Sequence, residues 1–264
     1  MSTPFCPGYG EAPFRGLVED CPDATTYPPD AFRVEWGPVF HRGRLDGTAR
    51  VLVLGQDPAQ HETISRRILM GTAGRRVQGF LGKLGLAQGY VMINTFAYCA
   101  YNQAAAAHRV DDAAIADYRG RWLSALLDGS AVTAVVAFGS LADRAWHKWI
   151  KTPAGAAHAA IGYRKLAHPT SPEAAGGDVA AATKKMLEAW NEGLQFLATK
   201  VAPDVATPLV PYGDAFTAED QPPIPQRDLP AGSPPWMGTK DGWAVRQGTS
   251  PADKRLHILV TATP

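Results

Sequence analysis

Residues 51–58 read VLVLGQDP, a short apolar run that ends in a polar turn. Four consecutive apolar residues are typical of a strand that is covered on both faces, as in a parallel sheet. Three further strand-like stretches follow along the chain, at residues 90–94, 133–138 and 163–167. The sequence therefore predicts four short strands.

Helical patterns separate these strands. They cover residues 72–84, 111–127, 140–150 and 177–199. Strands that alternate with helices of this length indicate βαβ units. We therefore expect an α/β fold, a three-layer αβα sandwich with a central four-stranded, mainly parallel sheet.

Composition divides the chain into three parts. Residues 1–48, rich in proline, glycine and aromatic residues, are expected to form an N-terminal arm that packs on the core, and residues 49–200 the central domain. Residues 201–264 are predicted to be a proline-rich extended appendage, because proline breaks long helices and central strands. Within it, residues 256–261 are β-prone and could add a strand to the sheet or to another surface.

Overall composition narrows the classes of partner. The 264 residues are 45% hydrophobic and carry a formal net charge of +1. No run approaches the roughly 18 apolar residues of a membrane span, and no secretory signal is visible at the start, so we expect a cytoplasmic protein without a membrane partner. A charge so close to neutral means that any face binding nucleic acid must be a local patch.

The chain has three cysteines, Cys6, Cys21 and Cys99. They are too few and too widely spaced for a disulfide framework or a paired Cys-x-x-Cys metal site. We therefore expect reduced thiols and neither a metal nor a soluble cofactor.

Polar residues collect where the predicted strands end, which is where parallel sheets carry their functional sites. Asp57 follows the first strand, Asn94 ends the second, Ser140 follows the third and His168 follows the fourth. Taken singly, Asp-Pro is usually a turn, a terminal Asn usually bonds nearby backbone, and His-Pro is usually an ordinary loop. Their shared location indicates one site.

The same segments resemble the motifs of uracil-DNA glycosylases. VLVLGQDPAQ is similar to their water-activating motif, YVMINTFAYC to the strand whose terminal Asn reads uracil, and KLAHPTSP to their His-Pro-Ser-Pro loop. The intervening RRILMGTAGRRVQGFLGKLGL resembles the thermophilic iron–sulfur branch of that superfamily. The resemblance covers about residues 50–199, and the family fold, a parallel sheet between helices, agrees with the one predicted above.

This resemblance implies a role for each candidate residue. Asp57 would hold a water and stabilise the positively charged sugar, His168 would donate to the departing uracil, and Asn94 would read its edge. The remaining assignments are uracil contacts by Gln56, Ala59 and Leu69, and phosphate contacts by Ser140, Thr170 and Ser171.

Several positions depart from the family pattern. Ala59 replaces a bulky tyrosine that excludes thymine, and we expect Leu69 and Met70 to close the space instead. Leu69 also stands where the family has the aromatic residue that stacks on uracil. Either aliphatic packing replaces this ring contact, or Phe96, Tyr98 or another neighbour takes it over.

Other departures concern the branches of the superfamily. Cys99 stands at one cluster-ligand position, but three cysteines cannot supply four thiolates, so we predict no iron–sulfur cluster. The histidine loop has one extra residue and is followed by residues 173–177 in place of an apolar wedge. His108 invites comparison with the covalent uracil-binding branch, yet the surrounding pattern is missing and an ordinary exposed histidine is expected.

The sequence thus predicts a monomeric uracil-DNA glycosylase of base excision repair. Its partners would be uracil-containing DNA, single- or double-stranded, and free uracil as product. One alternative is a glycosylase-like module that binds uracil in DNA with slow or no turnover. A second, a free-nucleotide binder, is disfavoured because the GQDP turn is not a phosphate-binding glycine loop.

Paired basic residues could add phosphate contacts. The four pairs are Arg66-Arg67, Arg75-Arg76, Arg164-Lys165 and Lys184-Lys185. Solvated faces are the more ordinary interpretation of such pairs.

Overall fold

The computed structural model describes residues 8–239 and 241–262. Its helices are α1 Phe14–Glu19, α2 Gln60–Ser65, α3 Thr72–Lys83, α4 Gln103–His108, α5 Ala113–Leu127, α6 Ser140–Trp149, α7 Pro153–Ala156, α8 Ser171–Ala175, α9 Val179–Ala198, α10 Trp236–Thr239 and α11 Pro251–Leu256. Its strands are β1 His41–Gly43, β2 Val51–Gly55, β3 Tyr90–Asn94, β4 Ala134–Phe138, β5 Gly162–Leu166, β6 Ala244–Arg246 and β7 Ile258–Val260.

The main sheet has five strands in the order β1-β3-β2-β4-β5. Strands β3, β2, β4 and β5 are parallel, and they are the four predicted strands. Strand β1 pairs antiparallel with β3 and adds a fifth strand at the edge. The prediction of a parallel sheet between helices is confirmed, whereas the predicted count of four strands was one too low.

Alternate side chains of β2 enter two separate cores. Val51 and Val53 pack with helices α3 and α9 on one face. Leu52 and Leu54 pack with α1, α5 and α6 on the other face. Because both faces are covered, the strand is apolar throughout. This double cover produces the αβα layers.

The C-terminal segment, residues 201–239 and 241–262, packs closely along the domain. Asp204 accepts hydrogen bonds from the backbone N–H groups of Gln88 and Gly89, beside the start of β3. Further on, Gln221 accepts at its carbonyl from Arg75 of α3. Within the described residues this segment adds no strand to the main sheet, and β6 and β7 pair with each other. None of the described helices is long and apolar enough to cross a membrane.

A buried ion pair fastens this segment to the sheet edge. Arg42 of β1 lies 3.4 Å from Asp228, measured from Nε to Oδ2, and both side chains are fully buried. The Tyr90 hydroxyl also donates to Asp228, at 2.8 Å. Burial raises the pKa of Asp228, an effect that the positive charge of Arg42 opposes. A charge in such a place is tolerated only because it is paired.

We expect Asp228→Ala to lower the free energy of unfolding by roughly 3–5 kcal/mol, because it leaves the Arg42 guanidinium buried without its counter-charge. Urea unfolding followed by circular dichroism measures the change. Asp214→Ala is the matched control in the same segment, since its ion pair with Lys184 is exposed and contributes about 0–1 kcal/mol. Equal effects of the two substitutions would contradict the role of Asp228 as the buried counter-charge.

Candidate active site

A cleft of about 790 Å³ opens at the carboxyl ends of the parallel strands. Seven of the residues predicted from the sequence line it: Gln56, Asp57, Ala59, Leu69, His168, Thr170 and Ser171. They come from the turn after β2, the loop before α3 and the loop after β5. The topology therefore gathers segments that are far apart in the sequence, as expected for a parallel sheet.

Asp57 is held in one orientation within the cleft. Its Oδ2 accepts from the backbone N–H of Ala100 at 2.9 Å and from Nε2 of Gln103 at 3.3 Å. The Gln103 Oε1 in turn accepts from the Gln56 amide at 2.7 Å. Burial raises the pKa of Asp57 to about 6, although these hydrogen bonds act in the opposite direction. The carboxyl is thus ionised at neutral pH and close to its titration point.

The hydrogen bonds of His168 determine where its proton lies. Its Nδ1 is 3.3 Å from the backbone N of Thr170 and 3.1 Å from the hydroxyl of the same residue. A backbone N–H can only donate, so Nδ1 must accept and Nε2 must carry the proton. Burial lowers the pKa of His168 below its usual 6.5. The residue is therefore a neutral imidazole with an Nε2–H donor.

The histidine loop is fastened to helix α3 by Arg76. The Arg76 guanidinium donates to the carbonyl of Pro169 at 2.7 Å and forms an ion pair with Glu173 at 2.6 Å. Gly139, at the end of β4, supports the loop from the other side, where a Cβ would lie 3.5 Å from the His168 Cβ. These contacts set the position of His168 in the cleft.

Leu69 lines the opposite wall in an unusual backbone conformation. Its φ is +55°, in the left-handed region that a branched side chain rarely adopts. The Leu69 carbonyl accepts from buried Arg42 at 2.8 Å, and Glu62 accepts from the N–H of Met70 at 2.7 Å. Glu62 also accepts from the Ala59 N–H at 3.0 Å. Two buried charged groups thus hold the strained loop in place.

Two predicted site residues lie near this cleft but do not line it. Asn94 ends β3 beside Gly55, and its side chain lies so close that a Cβ on Gly55 would collide with it. Its amide oxygen is buried and has no hydrogen-bond partner among the residues that the structure describes, and the residue borders a separate cavity of about 20 Å³. Ser140 is exposed at the start of α6, next to the Gly139 that contacts His168.

The structure corrects three expectations about the cleft walls. Met70 is fully buried against Ile224 of the C-terminal segment, so it does not close the space beside Ala59. Phe96 and Tyr98 are buried in another core and cannot stack on a base in the cleft. Leu69 is the one candidate of these four that lines the cleft.

The paired basic residues mostly serve structure. Arg75 and Arg76 hold the C-terminal segment and the histidine loop, and Arg66 donates to the carbonyl of Trp36 at 3.0 Å. Arg164 pairs with Glu192 on the surface. The predicted exposure of His108 agrees with the structure, and the residue is absent from the cleft lining.

Among the cleft-lining residues that sequence reasoning missed are His61, Glu62, Gln103 and Arg246. Glu62 had a readable signal, because a Glu three residues after the start of a helix often bonds back to that start. Gln103 and Arg246 had none, since each approaches the cleft only through the tertiary fold.

The two described thiols, Cys21 and Cys99, do not form part of a set of metal ligands. Cys21 and Cys99 are free, and burial raises the pKa of Cys99 to about 12, while Cys6 lies outside the described residues. Among residues 8–239 and 241–262, no three His, Cys, Asp or Glu side chains gather in a group able to hold a metal ion. These residues do not fit the four-thiolate cluster of the iron–sulfur branch.

The geometry defines a class of α/β protein with a carboxylate and a neutral histidine at the carboxyl ends of a parallel sheet. The profile of the Uracil DNA glycosylase superfamily matches residues 42–195, more than half of the chain. The chain belongs to this superfamily. No curated protein sequence matches it. Membership implies a base-excising, glycosylase-type activity on DNA.

We expect ¹⁵N–¹H NMR of the histidine rings to show His168 as the Nε2–H tautomer, because the Thr170 N–H occupies Nδ1. The ring should stay neutral down to a pH below its usual pKa of about 6.5, since burial disfavours the cation. The NMR signals of His108, which is exposed on α4, serve as the comparison for those of His168. A His168 signal with Nδ1 protonated at neutral pH would contradict the deduced tautomer.

Proposed function

We propose that the protein is a monofunctional uracil-DNA glycosylase of base excision repair. It hydrolyses the bond between deoxyribose and a flipped-out uracil, and it releases free uracil and leaves an abasic site. The observation that carries this proposal is that Asp57 and His168 line a single cleft. Superfamily membership supports the same chemistry.

The proposed reaction breaks the bond between C1′ of the sugar and N1 of uracil. The bonding electrons leave with the base, so the sugar becomes positively charged and uracil negatively charged. Asp57 stabilises the sugar cation and orients a water for attack at C1′. The water oxygen forms the new bond to C1′, and its proton passes to the Asp57 carboxylate.

His168 acts on the departing base. Its Nε2–H donates a hydrogen bond to uracil O2, where negative charge accumulates as the bond breaks. A neutral donor suits this task because the Thr170 N–H already holds the other ring nitrogen. The histidine thereby stabilises the anion without carrying a full charge into a buried site.

Asn94 is proposed to read the base. A side-chain amide can accept from uracil N3–H and donate to O4, a pattern that cytosine does not match. The buried Asn94 oxygen without a partner supports this assignment, because such an atom costs about 1–3 kcal/mol unless a ligand satisfies it. For this recognition, the Asn94 oxygen must accept a hydrogen bond from N3–H of a uracil that lies beyond the end of β2.

The test of function is release of labelled uracil from oligonucleotides that carry uracil opposite A, opposite G, or in a single strand. We expect free uracil from the wild-type protein. Asp57→Asn should slow single-turnover release by about 10²- to 10⁴-fold, as for loss of a general base. His168→Asn should slow it by about 10²- to 10³-fold, as for loss of an oxyanion donor.

Two matched controls accompany these variants. Asp214→Asn changes an exposed carboxylate, and His108→Asn changes an exposed histidine, so both should retain the wild-type rate. Tight binding of uracil-containing DNA without release would favour the alternative, a binding module with slow or no turnover. Wild-type rates in Asp57→Asn would remove this residue from the mechanism.

The rate should depend on pH through Asp57. The active form of Asp57 is the carboxylate, and its pKa is about 6. The rate of single-turnover release should therefore rise with pH through a midpoint near 6 and level off near 7. The lowered pKa of His168 leaves that ring neutral across the plateau. Rates measured under saturating enzyme test this expectation. A profile without a step near pH 6 would contradict it.

A further inference from the structure

A second groove continues from the active-site cleft. It has a volume of about 770 Å³ and shares the side chains of Gln60, Gln103 and Arg246 with that cleft. Its remaining walls come from Arg33, from the segment after β3, and from the C-terminal hairpin and helix, residues 245–254. The two depressions are therefore adjacent, with three side chains in their common border.

The charge in this groove has one sign. As far as the described residues show, its lining includes Arg33, Arg246 and Lys254 and no Asp or Glu. Arg246 and Lys254 are exposed, and within the part of the chain that the structure describes neither forms an ion pair or a side-chain hydrogen bond. Arg33, by contrast, is buried and donates to the carbonyl of Ala100. Two cations in the groove are therefore available to an anion.

The hairpin that carries Arg246 is fixed beside the catalytic turn. Strand β6 packs against α2, the helix that follows Asp57. The ring of Trp243 meets His61 edge to face, with centroids 4.9 Å apart. Arg255 of α11 forms an ion pair with Glu35 at 2.7 Å. These contacts anchor both ends of the hairpin and helix unit, so the groove is preformed.

We propose that this groove binds the sugar–phosphate backbone of the DNA strand next to the flipped nucleotide. Arg246 contacts a phosphate at the junction with the cleft, and Lys254 contacts one farther along the groove. The proposal rests on the proposed function, which places a flipped nucleotide in the adjoining cleft. The DNA backbone must continue from the flipped nucleotide to the rest of the strand outside the cleft. A cationic groove that adjoins the cleft suits this negatively charged backbone.

The polar lining agrees with this occupant. Asn102, Gln103 and Thr249 offer hydrogen-bond groups suited to phosphate and sugar oxygens. The net charge of the whole chain is only +1, so DNA affinity depends on local patches of this kind. The C-terminal segment thereby acts as part of the DNA-binding surface.

The experiment measures binding of a fluorescein-labelled, uracil-free oligonucleotide, single-stranded and duplex, over a range of salt concentrations. Arg246→Gln and Lys254→Gln should each weaken binding at low salt. Each should also reduce the slope of log affinity against log salt by about 0.7 for the single strand and about 0.9 for the duplex, the effect of one lost phosphate contact. Circular dichroism melting confirms that the variants fold.

Lys151→Gln is the matched control. Lys151 is exposed beyond the carboxyl end of α6, a helix that starts beside the site and runs away from it. Wild-type slopes in Arg246→Gln and Lys254→Gln would overturn the inference even if the protein excises uracil. Reduced slopes in a protein that releases no uracil would support the groove while refuting the proposed function.

Discussion

The guanidinium of Arg42 joins three parts of the chain that would otherwise be independent. It lies on the edge strand, donates to the carbonyl of Leu69 in the cleft wall, and pairs with Asp228 in the C-terminal segment. Because the group is fully buried, each contact is needed to offset the cost of removing its charge from water. The strained cleft loop and the C-terminal segment therefore share one electrostatic anchor.

Burial also governs the chemistry of Asp57, with a cost of its own. The burial that would strengthen its proposed attraction for a sugar cation also raises its pKa to about 6. The Ala100 N–H and the Gln103 amide limit that rise by stabilising the carboxylate. Without these donors the residue would lose its charge nearer to neutral pH. Gln103 is thus a positioning residue that also keeps Asp57 ionised.

The sequence predicted the four parallel strands because their side chains are apolar on both faces, a strong local signal. It missed β1, whose His-Arg-Gly sequence is polar and is buried only because Asp228 neutralises Arg42. The order of the motifs along the sequence predicted that Asp57 and His168 lie in one cleft, because the carboxyl ends of parallel strands lie at the same edge of a sheet.

The rest of the site could not be read from local sequence. Met70 follows Leu69 directly, yet it enters a core formed with Ile224 from the C-terminal segment. Arg246 reaches the cleft through a hairpin in a tract whose proline content suggested an extended appendage. In both cases a contact between distant segments decided the outcome, and no pattern within a short window reports such contacts.

The position of Asp228 has a consequence for biosynthesis. Arg42 and the whole main sheet emerge from the ribosome before Asp228 is made, so the nascent chain holds an uncompensated cation at its sheet edge. At that stage Arg42, which donates to the carbonyl of Leu69 in the cleft loop, is not yet held by Asp228. The cleft wall as the structure shows it therefore requires a C-terminal segment that has been synthesised and has docked on the sheet edge.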